Sequence, residues 1–133
     1  MEGIDETIAP LIEAMNKVPY LTTLSCCGGH PEESAVKEYG YAVATVVFDV
    51  EDEAENAIRW YGVVQDILTR RKAQQLSREH AFIFEKKFML NADGYLCWQW
   101  ELKIQATGKM PEQCRAGLDE GIAFLTGYFQ NIV

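Results

Sequence analysis

The sequence predicts an α+β domain in which helices pack mainly on one face of a mixed or antiparallel sheet. Residues 95–106 alternate strictly between apolar and polar side chains, as a half-buried strand does. Helical periodicity occupies residues 5–17, residue 52 to the mid-70s, and the stretch from Pro111 onward. The order is helix, strand, strand, long helix, strand, strand, helix. Because nothing marks a boundary or a repeat, residues 1–133 are predicted to form a single domain.

The three main helices have recognisable start and stop signals. Asp5 or Thr7 can cap the first helix, and Pro19 ends it. The long helix is predicted to bury a stripe of Ala54, Ala57, Ile58, Tyr61, Val64, Ile67 and Leu68. His80 is predicted to be exposed in the polar connection that follows. Pro111 opens the last helix. Its predicted core face is Cys114, Leu118, Ile122, Leu125 and Phe129.

Four segments have the composition of strands: Tyr20–Cys26, Tyr41–Val50, Ala81–Leu90 and Tyr95–Ala106. The last two are joined by Asn91–Gly94, which is a strong signal for a hairpin turn. The apolar face predicted for the last strand is Leu96, Trp98, Trp100, Leu102 and Ile104. Its polar face is Cys97, Gln99, Glu101, Lys103 and Gln105, and this face is expected to be wet or to line a polar site.

Composition and charge limit the classes of protein to which this chain can belong. Hydrophobic residues make up 48% of the chain, which is enough for a packed core. The longest apolar run, Tyr41–Phe48, is far shorter than the about 20 residues of a membrane helix. Residues 1–6 are acidic and lack the apolar region of a signal peptide, so a cytoplasmic location is expected, with the four cysteines as free thiols. A net charge of −8 argues against nucleic-acid binding.

Reactive side chains, glycines and a histidine fall together only in the segment Ser25–His30. A thiolate here, with His30 as a nearby base, has the residue types of a nucleophilic or redox centre. The two glycines could instead hold a small anionic or polar ligand through backbone N–H groups. A third chemistry is zinc binding by a thiol and His30. It needs two further ligands from His80, Cys97 or Cys114, none of which has paired spacing. A tight structural turn is the alternative to all three.

The first third of the chain resembles the Tyw3 family, which methylates a modified guanine in phenylalanine tRNA during wybutosine synthesis using S-adenosylmethionine. The resemblance lies in the stretch from Ile4 to Gly28, IDETIAPLIEAMNKVPYLTTLSCCGG. It shares the Ile-Asp start, the Pro-Leu-Ile helix ending in Asn, the Tyr-x-Thr-Thr strand and a Ser-Cys-x-Gly turn. The family's second Ser is Cys27 here, and its Arg is replaced by Gly29 or His30. The hydrophobic strand near residues 41 to 50 also matches.

The resemblance implies a Tyw3-like fold and a small-molecule site at the Ser25–His30 segment, with S-adenosylmethionine or a nucleotide as ligand and methyltransferase activity as the enzymatic version. Cys26 and His30 are the predicted catalytic residues, which orient the ligand or transfer a proton. The predicted cofactor-binding residues are Thr23, Ser25, Cys27, Gly28 and Gly29. Two other functions stay open: a homo-oligomeric assembly module that pairs through Gly117 and Gly121, and a Cys/His metal-binding protein.

Overall fold

The computed structural model describes residues 4–29, 36, 38–73, 80–90 and 92–132. Its helices are α1, Ala9–Asn16; α2, Glu53–Ala73; and α3, Pro111–Ile132. Its strands are β1, Leu21–Cys27; β2, Tyr41–Val50; β3, His80–Leu90; and β4, Leu96–Thr107. Within these residues, no helix combines the length and the apolar character that crossing a membrane requires. The helix start predicted at residues 30–33 and most of the connection at 72–80 lie outside the described residues.

The four strands form one sheet in the order β1-β2-β4-β3, and every neighbouring pair is antiparallel. The helices pack on one face of it, so the predicted α+β class is confirmed. The buried face is built from alternate residues of β2 and β4. Val46 lies opposite Leu102 and Phe48 lies opposite Trp100. These side chains join the core that α1, α2 and α3 cover. We call the opposite face, which contains Thr45 and Lys103, the open face of the sheet.

The long helix α2 is buried through Ile67, which belongs to the predicted stripe, and through Trp60, which does not. The Trp60 ring packs edge-to-face on Phe48 and Trp100, with ring centroids 5.1 and 5.8 Å away. Because this ring packs on the sheet, the side of α2 that carries Trp60 faces the strands, and this side differs in part from the predicted one. Ala57 and Val64 are half-buried. The prediction is wrong for four exposed residues, Ala54, Ile58, Tyr61 and Leu68.

His80 is buried, contrary to the expectation from its polar neighbours. It begins β3, and its Nε2 lies 3.0 Å from Oε1 of Glu120 on α3. Arg71 at the end of α2 donates to the His80 carbonyl oxygen. Glu120, 40 residues further along the chain, therefore supplies a polar partner that compensates for the burial of the imidazole.

The first helix begins at Ala9 and not at residue 5, and its N-cap Ile8 makes no side-chain capping bond. Asp5, one of the two predicted caps, instead accepts hydrogen bonds from the backbone N–H and the hydroxyl of Thr7. Its other oxygen binds Gly28, in the turn after β1. The carboxylate thus ties the chain before α1 to a segment outside the helix.

The two glycines of α3 pack inside this chain. Gly117 and Gly121 are both buried. A Cβ atom on Gly121 would lie 2.8 Å from Cγ2 of Ile104 and 3.1 Å from Cε1 of Phe82. The glycine therefore lets α3 approach the sheet closely. The space beside Gly121 is occupied by its own chain, so the described residues give no support to the predicted pairing of these glycines with a second copy.

Substitution of Gly121 by alanine is expected to lower the free energy of unfolding by about 1–3 kcal/mol, since the methyl group overpacks the interface between helix and sheet. Gly62 is the matched control, because it is exposed on α2 and a Cβ atom there meets nothing within 4 Å. Gly62→Ala should raise stability by about 0.5–1 kcal/mol. Urea denaturation measures both values. Equal stability of the two variants would contradict the close approach at Gly121.

Candidate functional site

The direction of each side chain in β1 depends on an irregularity in its pairing with β2. Thr23 pairs with Phe48 and Ser25 with Val47, so Leu24 is an extra residue in β1. Beyond this bulge, Ser25 and Cys27 fall on the open face, whereas Cys26 falls on the helix-covered face. The two neighbouring cysteines therefore lie on opposite sides of the sheet.

The two thiols have different surroundings as a result. Cys26 lies opposite the buried Val46, is half-buried and packs against the core. Cys27 lies opposite Thr45 and is exposed. All four cysteines are free thiols, as predicted, and Cys114 is buried in α3 where its periodicity placed it. A single ligand on the open face can reach the thiol of Cys27 and not that of Cys26.

Among the residues that the structure describes, no group of three or more His, Cys, Asp or Glu side chains could hold a metal ion. Three of the predicted donors, Cys97, Cys114 and His80, are described, and they stand on three different elements. The loop thiols Cys26 and Cys27 stand on β1, and His30 lies outside the described residues. The described residues thus offer no support for the metal-binding alternative.

Thr23, a predicted cofactor contact, uses its polar groups within the chain. Its backbone N–H donates to Oδ1 of Asn16 at 3.0 Å, and Nδ2 of Asn16 donates to the Thr23 hydroxyl at 2.8 Å. The side chain is buried. Asn16 is the last residue of α1, so this pair of hydrogen bonds joins the end of that helix to β1.

Both glycines after β1 are buried, and neither position has room for a side chain. A Cβ atom on Gly28 would overlap the hydroxyl of Thr7. Gly29 has φ +75°, and a Cβ atom there would lie 2.6 Å from Leu118 and 3.0 Å from the Val43 carbonyl oxygen. The N–H of Gly28 already donates to Oδ2 of Asp5 at 3.2 Å. The predicted anion cradle of backbone N–H groups is therefore partly filled by a carboxylate of this chain.

The carbonyl groups of the same two glycines are held by Arg115, in the first turns of α3. Its Nη1 donates to Gly28 O at 3.1 Å and also to Gly29 O. Its Nε donates to Oδ1 of Asp119 at 2.9 Å, one helical turn further on. Asp5 and Arg115 thus fix the turn from both sides. The sequence carried no signal for this role, because these residues lie 23 and 87 positions from Gly28.

Arg115 also lines an open crevice of about 460 Å³ at the start of α3, together with Pro111, Glu112, Ala116 and Asp119. The crevice has one cationic side chain and two carboxylates. A site with this charge favours a neutral or cationic group over a phosphate.

The middle of the open face carries four charged residues that pair with each other. Glu85 and Glu101 lie directly opposite on β3 and β4. Lys87 donates to Glu101 at 2.8 Å, and Lys103 lies 3.3 Å from Glu85. The hydrogen bond that Glu85 accepts from Lys103 is the main cause that lowers the pKa of Glu85, and the hydrogen bond that Lys87 donates to Glu101 is the main cause that raises the pKa of Lys87. The predicted polar face of β4 is therefore charge-neutral here.

The fold and the turn together define a small α+β domain with a rigidly held glycine turn at the end of its first strand. Comparison of the chain with protein-family models, with curated proteins and with solved structures finds no match. The Tyw3 resemblance in the first third of the chain stays a prediction.

Proposed function

We propose that this chain is a Tyw3-like small-molecule-binding domain whose site is the segment Ser25–His30. One observation carries the proposal. The turn at Gly28 and Gly29 is held at both carbonyl oxygens and at one N–H by Asp5 and Arg115, from opposite ends of the chain. A preorganised backbone favours ligand binding, because the turn then does not have to be ordered when the ligand arrives.

Cys27 is the thiol that we assign to contact with the ligand. It is the last residue of β1, it is exposed, and it shares the open face with Ser25. His30 follows the held glycines in the chain, and we keep it as the proton-transferring residue of the enzymatic version. Cys26 would act on the ligand indirectly, because its half-buried side chain packs against the core beneath the site.

The proposed ligand is a nucleoside-like molecule that carries no phosphate, with S-adenosylmethionine as the first candidate by resemblance. The sulfonium group of that molecule is cationic, which suits an acidic chain. A chain with net charge −8 repels a phosphate backbone, so the proposal covers the small molecule and not a tRNA.

Isothermal titration of the full chain with S-adenosylmethionine, S-adenosylhomocysteine and adenosine tests the proposal. We expect one molecule to bind per chain. Cys27→Tyr should weaken binding about 10-fold or more, because the ring fills the ligand's place while leaving the core untouched. His30→Ala should also weaken binding.

Cys97→Tyr is the matched control, since Cys97 lies on the same face of the sheet in the distant β3–β4 hairpin. Its affinity should equal that of the unmodified chain. Failure of all three compounds to bind, or equal binding by Cys27→Tyr, would overturn the proposal. Native mass spectrometry of the freshly purified chain supplies an independent readout of any molecule that co-purifies.

A further inference from the structure

The hairpin of β3 and β4 extends past the rest of the sheet. The pairing of β4 with β2 ends at Trp100, whereas its pairing with β3 continues through Trp98 with Phe88 and Leu96 with Leu90. Because side chains alternate along a strand, these four residues continue the face on which the helices pack. The described helices do not cover them. Phe88 is 56% exposed, Leu90 72%, Leu96 60% and Trp98 50%.

The exposed side of α2 continues this surface. Ile58 is 88% exposed and Tyr61 is 55% exposed, three residues apart on one side of the helix. The Tyr61 ring lies 6.0 Å from that of Trp100, the next residue of the same face after Trp98. We call Ile58, Tyr61, Phe88, Leu90, Leu96 and Trp98 together the apolar surface.

An ion pair of Lys86 with Glu53 lies beside the apolar surface. Nζ of Lys86 lies 4.9 Å from the Trp98 ring and 5.9 Å from the Trp100 ring. The same ammonium group bonds Oε2 of Glu53, whose other oxygen accepts from Nε1 of Trp100 at 2.8 Å. The ammonium group at these rings is therefore neutralised and does not attract a phosphate backbone or an anionic lipid. The complement of the apolar surface is another neutral apolar surface.

The exposed area is that of one side of a protein interface. At about 200 Å² for each aromatic side chain and slightly less for each aliphatic one, these exposed fractions amount to about 700 Å². The largest apolar patch of a typical monomer is about 300–600 Å². Two such surfaces facing each other bury about 1,400 Å², within the range of about 1,200–2,000 Å² for a standard interface.

From this area and this neutrality, we propose that the apolar surface is the interface of a homodimer, with a second copy of the chain as its occupant. Closed two-fold pairing brings the same patch of each copy together, so one surface supplies both sides. The interface differs from the predicted pairing through the glycines of α3, of which Gly121 packs against the sheet of its own chain.

Sedimentation velocity of the full chain between about 1 and 100 μM tests this proposal. We expect a species of twice the 15.1 kDa chain mass. Ile58→Glu and Leu90→Glu should each weaken dimerisation about 10-fold or more, because each puts a carboxylate into an apolar contact. Both side chains are largely exposed, so neither substitution disturbs the core.

Tyr39→Glu is the matched control. Tyr39 is 60% exposed and lies beside Tyr41, at the opposite end of the sheet from the hairpin. The dimer should persist in this variant. A monomer at about 100 μM, or a dimer unaffected by both substitutions in the apolar surface, would overturn the proposal. So would a monomer that floats with neutral phosphatidylcholine vesicles and loses this binding in Leu90→Glu, because the occupant would then be a lipid surface.

Discussion

Replacing Trp60 with alanine is expected to lower the free energy of unfolding by about 3–5 kcal/mol, the largest stability effect of any substitution considered for this chain. Trp60 is 1% exposed and is the main contact of α2 with the sheet. Its ring touches three others, with centroids 5.1 Å from Phe48, 5.9 Å from Phe84 and 5.8 Å from Trp100. Its removal leaves a cavity between the helix and the strands. Urea denaturation followed by circular dichroism measures the loss.

Trp60→Phe separates the ring from its polar atom. Among the described residues, the buried Nε1 of Trp60 has no hydrogen-bond partner. Phenylalanine keeps an aromatic ring in the site and removes this unsatisfied donor, so we expect a cost below about 1.5 kcal/mol. Trp98→Ala, at a half-exposed ring, should change the unfolding free energy of the monomer by less than about 1 kcal/mol. Equal losses in Trp60→Phe and Trp60→Ala would contradict this assignment.

Removal of the Arg115 side chain in Arg115→Ala should cost about 2–3 kcal/mol, because it deletes charge-assisted hydrogen bonds to the carbonyls of Gly28 and Gly29. The effect should be concentrated at the turn after β1. Hydrogen exchange followed by mass spectrometry should therefore show faster exchange in residues 21–29 than in β4. Ligand binding at Cys27 should weaken in parallel if the held turn is the binding site.

Arg115→Lys and Lys17→Ala are the controls. Lysine keeps the charge but lacks the planar group whose Nη1 and Nε bond the glycine carbonyls and Asp119 together, so an intermediate loss is expected. Lys17→Ala removes an exposed pair with Glu13 one turn away on α1, and its cost should be below about 0.5 kcal/mol. If Arg115→Ala behaves like Lys17→Ala, the turn does not depend on the arginine.

The strands and their faces could be predicted because their pattern is local. The alternation along β4 correctly assigned Leu102 and Ile104 to the core, since side chains on a strand alternate whatever the strand packs against. Gly94, at φ +81°, supplies the left-handed residue that the predicted hairpin turn required. Trp98 lies on the face of β4 that was predicted to be apolar. It is nevertheless exposed, because the hairpin extends past β2 and past the helices that cover the rest of this face.

The burial of single residues in α2 and at the start of β3 was less predictable. When a helix has apolar residues on several sides, its sequence pattern does not determine which side packs on the sheet. In α2, the Trp60 ring decides this through contacts with β2, β3 and β4. His80 stands in a polar stretch of sequence, and only its contacts with Glu120 and Arg71 account for its burial. Both outcomes depend on partners that are far away in the chain.

The turn at Ser25–His30 also has features that the sequence predicts and features that depend on the tertiary structure. Its residue types alone identified it as the one segment in which thiols, glycines and a histidine occur together, because composition is a local property of the sequence. The direction of Cys26 and Cys27 depends on the bulge at Leu24, which exists only in the pairing of β1 with β2. The tertiary structure alone brings Asp5 and Arg115 to the glycines, since hydrogen bonds across 23 and 87 residues require the chain to be folded.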